Sequence, residues 1–137
     1  MNAWLALTSA LLLGSLGFTV RRLIKPKAES LLEDREALTD DEIYQRFYAS
    51  SGLEREAVAG LWHEVAHILR VPADRLRPTD EFGKDIGAYW ITSEELDVLG
   101  ETARRRANRK GAAVDLASIR TVDDYVRQLA TCRVPSD

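Results

Sequence analysis

Between Leu69 and Leu96 runs a stretch that no helix can cross: Pro72 and Pro78 lack the amide hydrogen an α-helix needs, and Gly83 and Gly87 interrupt the residues beyond them. The same stretch carries Val71, Leu76, Phe82 and Ile86 at irregular intervals among polar residues. A loop that spends apolar residues in this way is expected to be ordered, its plugs seated in a core. One helix must therefore end near Arg70 and another begin close to Leu96.

The flanking patterns supply those helices. From Leu53 to Arg70, the apolar positions Val58, Leu61, Trp62, Val65 and Leu69 follow helical spacing. After the loop, Thr92 and Glu95 have the spacing of a capping box, and Leu96, Leu99, Ala103 and Ala107 mark the buried stripe of a helix running to about Lys110, with Gly111 as its stop. Residues 111–120 are expected to be irregular or to hold a short helical turn built on Val114, Leu116 and Ile119. Thr121 then opens a last helix with Val122, Tyr125, Val126 and Leu129 inward, closed by Pro135. The predicted fold class is all-α, a small helical bundle.

The loop pattern Val-x-x-x-x-Leu-x-Pro-x-Asp-x-Phe-x-x-Asp-Ile-Gly-Ala, from Val71 to Ala88, closely resembles the acyl carrier protein family, and Glu95-Leu96 and Thr-Val-Asp-Asp-Tyr-Val from Thr121 extend the resemblance. It covers about Leu53 to Ala130 and implies an acyl-carrier-like domain over residues 53–132. In that family the serine following Gly-Ala-Asp carries phosphopantetheine; here the matched position is Trp90, whose indole cannot be modified that way. Ser93, three residues on, is the alternative attachment point for phosphopantetheine, although with Thr92 it reads more simply as part of the helix N-cap. The resemblance also implies a docking surface for partner enzymes around Tyr89, Trp90, Glu94 and Glu95.

Ahead of this domain, residues 3–24 form a mostly apolar run whose only charges are Arg21 and Arg22. As a helix of roughly 20 residues it would measure about 30 Å and cross a bilayer. Arg21, Arg22, Lys25 and Lys27 lie on its C-terminal side, which predicts a single-pass transmembrane anchor over residues 1–25 with the rest of the chain cytoplasmic. A cleaved signal peptide is the rival reading, but Met1, Asn2 and Ala3 supply no side-chain charge for its first region. Ala10 and Gly14 have a spacing that lets two anchors pack. Residues 26–52 are expected to be a charged linker, rich in acids from Glu29 to Glu36, and a short amphipathic helix. Thr39 and Glu42 cap that helix, and Ile43, Tyr44, Phe47 and Tyr48 share one face, expected to pack on the domain.

Composition narrows the chemistry. A net charge of -3 argues against general nucleic-acid binding, and one cysteine, Cys132, allows neither an internal disulfide nor a thiolate zinc cluster. His63-Glu64-Val65-Ala66-His67 matches His-Glu-x-x-His, in which two histidines hold zinc and the glutamate activates a bound water. A third ligand would have to come from Glu94, Glu95, Asp97 or Glu101, and helix phase turns His63 and His67 away from the apolar stripe. The second long helix begins acidic and ends with Arg104, Arg105, Arg106, Arg109 and Lys110, more positive charge than its dipole requires and suited to an acidic partner or anionic lipid. The sequence reading is a membrane-anchored, non-catalytic, acyl-carrier-like binding or scaffold module without a cofactor. It would dock a lipid- or acyl-metabolism protein partner through Tyr89, Trp90, Glu94, Glu95, Arg104 and Arg105. The alternatives are an active carrier modified on Ser93 and a membrane-tethered zinc hydrolase using His63, Glu64 and His67.

Overall fold

The computed structural model describes residues 32–87 and 94–131. The transmembrane segment expected at residues 3–24 lies outside them, and no helix among the described residues is long and apolar enough to cross a membrane. Four α-helices are described: α1 (Asp40–Phe47), α2 (Arg55–Leu69), α3 (Glu94–Arg109) and α4 (Val122–Ala130). Short 3-10 turns at Ala73–Arg75 and Leu116–Ser118 interrupt the connections, and the described residues hold no β-strand beyond two isolated bridges. The all-α bundle is therefore present.

α2 is the central helix. Val58, Leu61, Trp62, Val65, Ala66 and Leu69 are all buried along it, and α1, α3 and α4 each pack against it. Its C-terminal end closes at Arg70, a left-handed residue at φ 55°, whose N–H donates to the carbonyls of Ala66 and His67. The chain then enters the loop, where Leu76 and Ile86 are fully buried and Val71 and Phe82 pack against the core as partly buried plugs. Trp62 holds the start of the loop by donating its indole N–H to the Ala73 carbonyl at 2.8 Å.

Local capping sets the other helix ends. Thr39 and Glu42 form the expected reciprocal box at α1, and Thr121 forms one with Asp124 at α4. α3 stops where Gly111 turns left-handed at φ 65° and the Ala112 N–H reaches back to the Ala107 carbonyl at 3.0 Å, the six-to-one bond of a glycine-terminated helix.

The core does not stop at residue 53. Leu32, Leu38, Ile43 and Tyr48 belong to the same buried cluster as the α2 residues, and the Tyr48 ring meets Trp62 edge-on with centroids 6.2 Å apart. The boundary expected between a 26–52 linker and a 53–132 domain is thus crossed by packing from Leu32 onward. Glu33, Asp34 and Glu36 are exposed, yet the stretch is tied to the loop by the Arg35 side chain and by its own backbone. Arg35 pairs with the buried carboxylate of Asp80 at 2.8 Å, and the Leu38 N–H donates to the Asp74 carbonyl at 2.8 Å. Arg75 donates to the carbonyls of Leu32 and Glu33, and Arg77 to that of Glu36.

The α4 cap makes stability depend on acid. Burial acts to raise the Asp124 carboxyl, but the N–H groups of Arg120 and Thr121, with the Thr121 hydroxyl, outweigh it and hold the carboxyl below its ordinary value. A depressed folded-state value gives stability that is present above the ordinary carboxylate range and lost as pH falls through the folded value. Asp124→Asn should therefore lower stability by about 1 kcal/mol at neutral pH. Thermal melts should show the gap from wild type closing as pH falls below about 4.

Candidate binding site along the third helix

α3 rests on the bundle through a narrow seam. Only Leu99, Ala103 and Ala107 are buried along its 16 residues, and two of these side chains are single methyl groups. Small residues let the helix lie close to α2 and α4, but they contribute little apolar burial; at about 25 cal/mol per Å², an alanine seam holds a helix weakly. A polar cluster reinforces it. Glu64 on α2 accepts the Tyr125 hydroxyl from α4 at 2.6 Å through one oxygen, while its other oxygen pairs with Arg106 of α3. One carboxylate thereby joins three helices. Tyr125 is 1% exposed, and burial, with the Glu64 carboxylate next, pushes its phenol well above the usual value, so it remains a neutral donor.

This changes the reading of the His-Glu-x-x-His motif. His63 and His67 are exposed as their helix phase predicted, and His63 Nε2 lies 2.9 Å from both Asp40 carboxylate oxygens. Glu64, one residue round the helix, points inward and has both oxygens engaged by Tyr125 and Arg106. The carboxylate that would have to activate a metal-bound water is therefore turned away from the two rings. Among the described residues no three His, Cys, Asp or Glu side chains are grouped to hold a metal ion.

Two of the depressions beside α3 bear on the expected partner contacts. The first, about 560 Å³, is walled by Phe82 from the loop, Leu96 of α3, Leu116, Ile119 and the Tyr125 ring. The exposed side chains of Asp97, Glu101 and Arg104 stand at its edge. Its walls are apolar and its margin charged, the composition expected of a site that takes an apolar group and orients it by a few polar contacts. The second, about 650 Å³, lies between the end of α2 and the start of α3, lined by Ala66, His67, Ile68 and Arg70 with Glu94, Glu95 and Val98.

The residues expected to contact a partner are thus divided. Glu94 and Glu95 line the second groove and Arg104 the first, whereas Arg105 is exposed and shares Glu101 with Arg104, at 3.0 and 3.1 Å. Those two arginines hold the Glu101 carboxyl below its ordinary value, the hydrogen bond from Arg105 contributing most. Arg106, expected among the outward basic residues, is turned in toward Glu64. Tyr89, Trp90, Thr92 and Ser93 lie outside the described residues. Leu96, expected in the buried stripe, is only partly buried and forms a wall of the first cleft.

Sequence reasoning passed over Val98, which is 48% exposed and the one large exposed hydrophobic among the described residues. Its signal was present: it is apolar but out of phase with the Leu99, Ala103 and Ala107 seam. Phe82, Leu116 and Ile119 were expected only as core contacts, and their convergence on one cleft depends on the loop path. Gly87 makes that path possible. At φ 72° a side chain there is strained by its left-handed backbone, and a Cβ would lie 2.8 Å from Leu96 Cδ2 and push that side chain aside.

No family model, no curated protein and no solved structure matches the chain.

Three substitutions check this site. Glu64→Leu, which strands the Tyr125 hydroxyl and Arg106, should cost roughly 2–4 kcal/mol in denaturant unfolding. Combined with Tyr125→Phe it should be non-additive by at least about 0.5 kcal/mol, because the two groups share one bond. Gly87→Ala should destabilise by about 2 kcal/mol through its left-handed backbone and the overlap with Leu96, read by the same unfolding curves.

Proposed function

We propose that the chain is a non-catalytic, acyl-carrier-like binding module that docks a protein partner of lipid or acyl metabolism along α3. In this reading residues 3–24 anchor it in a membrane and the C-terminal domain is cytoplasmic. The observation that carries the proposal is the outer side of α3. A helix seated on an alanine seam leaves Val98 exposed, has an apolar cleft beside it, and offers acids at its start and arginines further along. The order of long helix, ordered loop, long helix, short turn and final helix agrees with what the resemblance implies. Trp90 at the position of the modified serine supports a role without the carrier arm. Glu64 is occupied between Tyr125 and Arg106, which favours binding over hydrolysis.

Two experiments test this. The full chain, co-expressed with a broad-specificity phosphopantetheinyl transferase, should keep its unmodified mass; a gain mapped to Ser93 would make it a working carrier instead. A photo-crosslinking residue placed at Val98 should capture a defined partner in cells, and one at the exposed Gln45 of α1 should not. Equal adducts from both positions would sink the α3 docking reading.

A further inference from the structure

The stretch between the expected anchor and the first helix is built as an attachment. Leu32 and Leu38 are buried at 2% and 1% exposure, one at each end of it. Between them the chain crosses the loop and is held from both sides. Arg35 reaches down to the buried Asp80 carboxylate and the Arg75 carbonyl, while Arg75 and Arg77 reach up to the carbonyls of Leu32, Glu33 and Glu36. Arg75 thereby engages the carbonyls of Leu32 and Glu33 at the start of the described stretch. These are charge-assisted bonds to fixed acceptors, and the one to Asp80 reaches a carboxylate almost wholly removed from water, where it exchanges with solvent less readily than an exposed ion pair.

Asp80 passes this attachment on to the rest of the domain. The oxygen that takes Arg35 also accepts the Arg77 N–H at 2.8 Å, and its own carbonyl accepts the Val122 N–H at the start of α4. Two residues on, Phe82 donates its N–H to the Arg120 carbonyl and places its ring in the cleft beside α3. An unbroken set of bonds therefore runs from Leu32 to the cleft wall.

We propose that residues 32–39 are a clasp and not a spacer, so that the domain hangs from the lipid-embedded segment at Leu32, beside the loop, and not at the start of α1. The lipid half of this rests on the proposed membrane anchor; the clasp itself does not. A flexible tether of the same length would let the domain tumble and present every face equally. The clasp fixes the point of attachment on the domain, so that the faces near Leu32 are held closer to the bilayer than those far from it.

The test uses the full chain reconstituted in vesicles of phosphatidylcholine and phosphatidylglycerol. By hydrogen exchange, the Leu38 amide should be protected, and Arg35→Gln with Arg77→Gln should speed its exchange by about tenfold or more while the Val65 amide in α2 stays protected. Arg77→Gln alone, which leaves both partners of Asp80 in place, should give a smaller acceleration in the same direction. Unprotected Leu38 in wild type, or protection unchanged in the double variant, would overturn the clasp. For the presentation of the faces, fluorophores are placed singly at Gln45→Cys or Val98→Cys in a Cys132→Ser background, with spin-labelled headgroups as quencher. Wild type should show unequal quenching at the two positions, and the double variant should equalise them; equal quenching in wild type would overturn the unequal presentation of the faces. A chain that fails to float with the vesicles would overturn the anchor reading and the lipid orientation with it, leaving the exchange result to decide the clasp.

Discussion

The carboxylate of Asp80, 2% exposed, is the constraint on which the arrangement depends. A buried charge costs several kcal/mol unless its oxygens are satisfied. Here the compensation comes from an arginine forty-five residues earlier and from a backbone N–H of its own loop. The same residue's carbonyl receives the first N–H of α4. The loop, the approach to α1 and the last helix are consequently fixed relative to one another by one residue. Losing Arg35 would leave a buried acid with one fewer donor, which explains why a chain segment of mostly exposed polar residues lies so firmly on the domain.

The opposite logic governs α3. Its contact seam is small and its outer face polar, so its place depends on Glu64, Tyr125 and Arg106 more than on apolar area. A helix held in this way can be mounted close to its neighbours yet still expose most of its length. That is a useful property in an element whose proposed task is to meet a partner. The cleft beside it exists because Gly87 allows the loop to pass Leu96 and because the 3-10 turn after α3 brings Leu116 and Ile119 back over the same helix.

Much of this was legible in the residues. Apolar spacing located α2, α3 and α4 to within a few positions, capping signatures located Thr39 and Thr121, and the prolines and apolar plugs foretold an ordered loop with Leu76 and Ile86 in the core. These succeed because they are local: a cap joins residues three apart, and a helical stripe repeats within two turns. The candidate site was less legible. Helix phase turned His63 and His67 outward, but nothing in the spacing said that Glu64 would meet Tyr125, sixty-one residues away. The five basic residues from Arg104 to Lys110 looked like one patch, yet Arg104 and Arg105 share Glu101 while Arg106 faces α2.

By itself, then, the sequence determined the helical class, most of the helix limits and the burial of the loop plugs Leu76 and Ile86. The tertiary structure decided which charges pair, that residues 32–39 belong to the domain, and where the cleft opens. The division has a physical reason. Local hydrogen bonds and periodic burial are set by neighbours along the chain. The partner of a buried charge is set by which distant segments the packed core brings within about 3 Å of it.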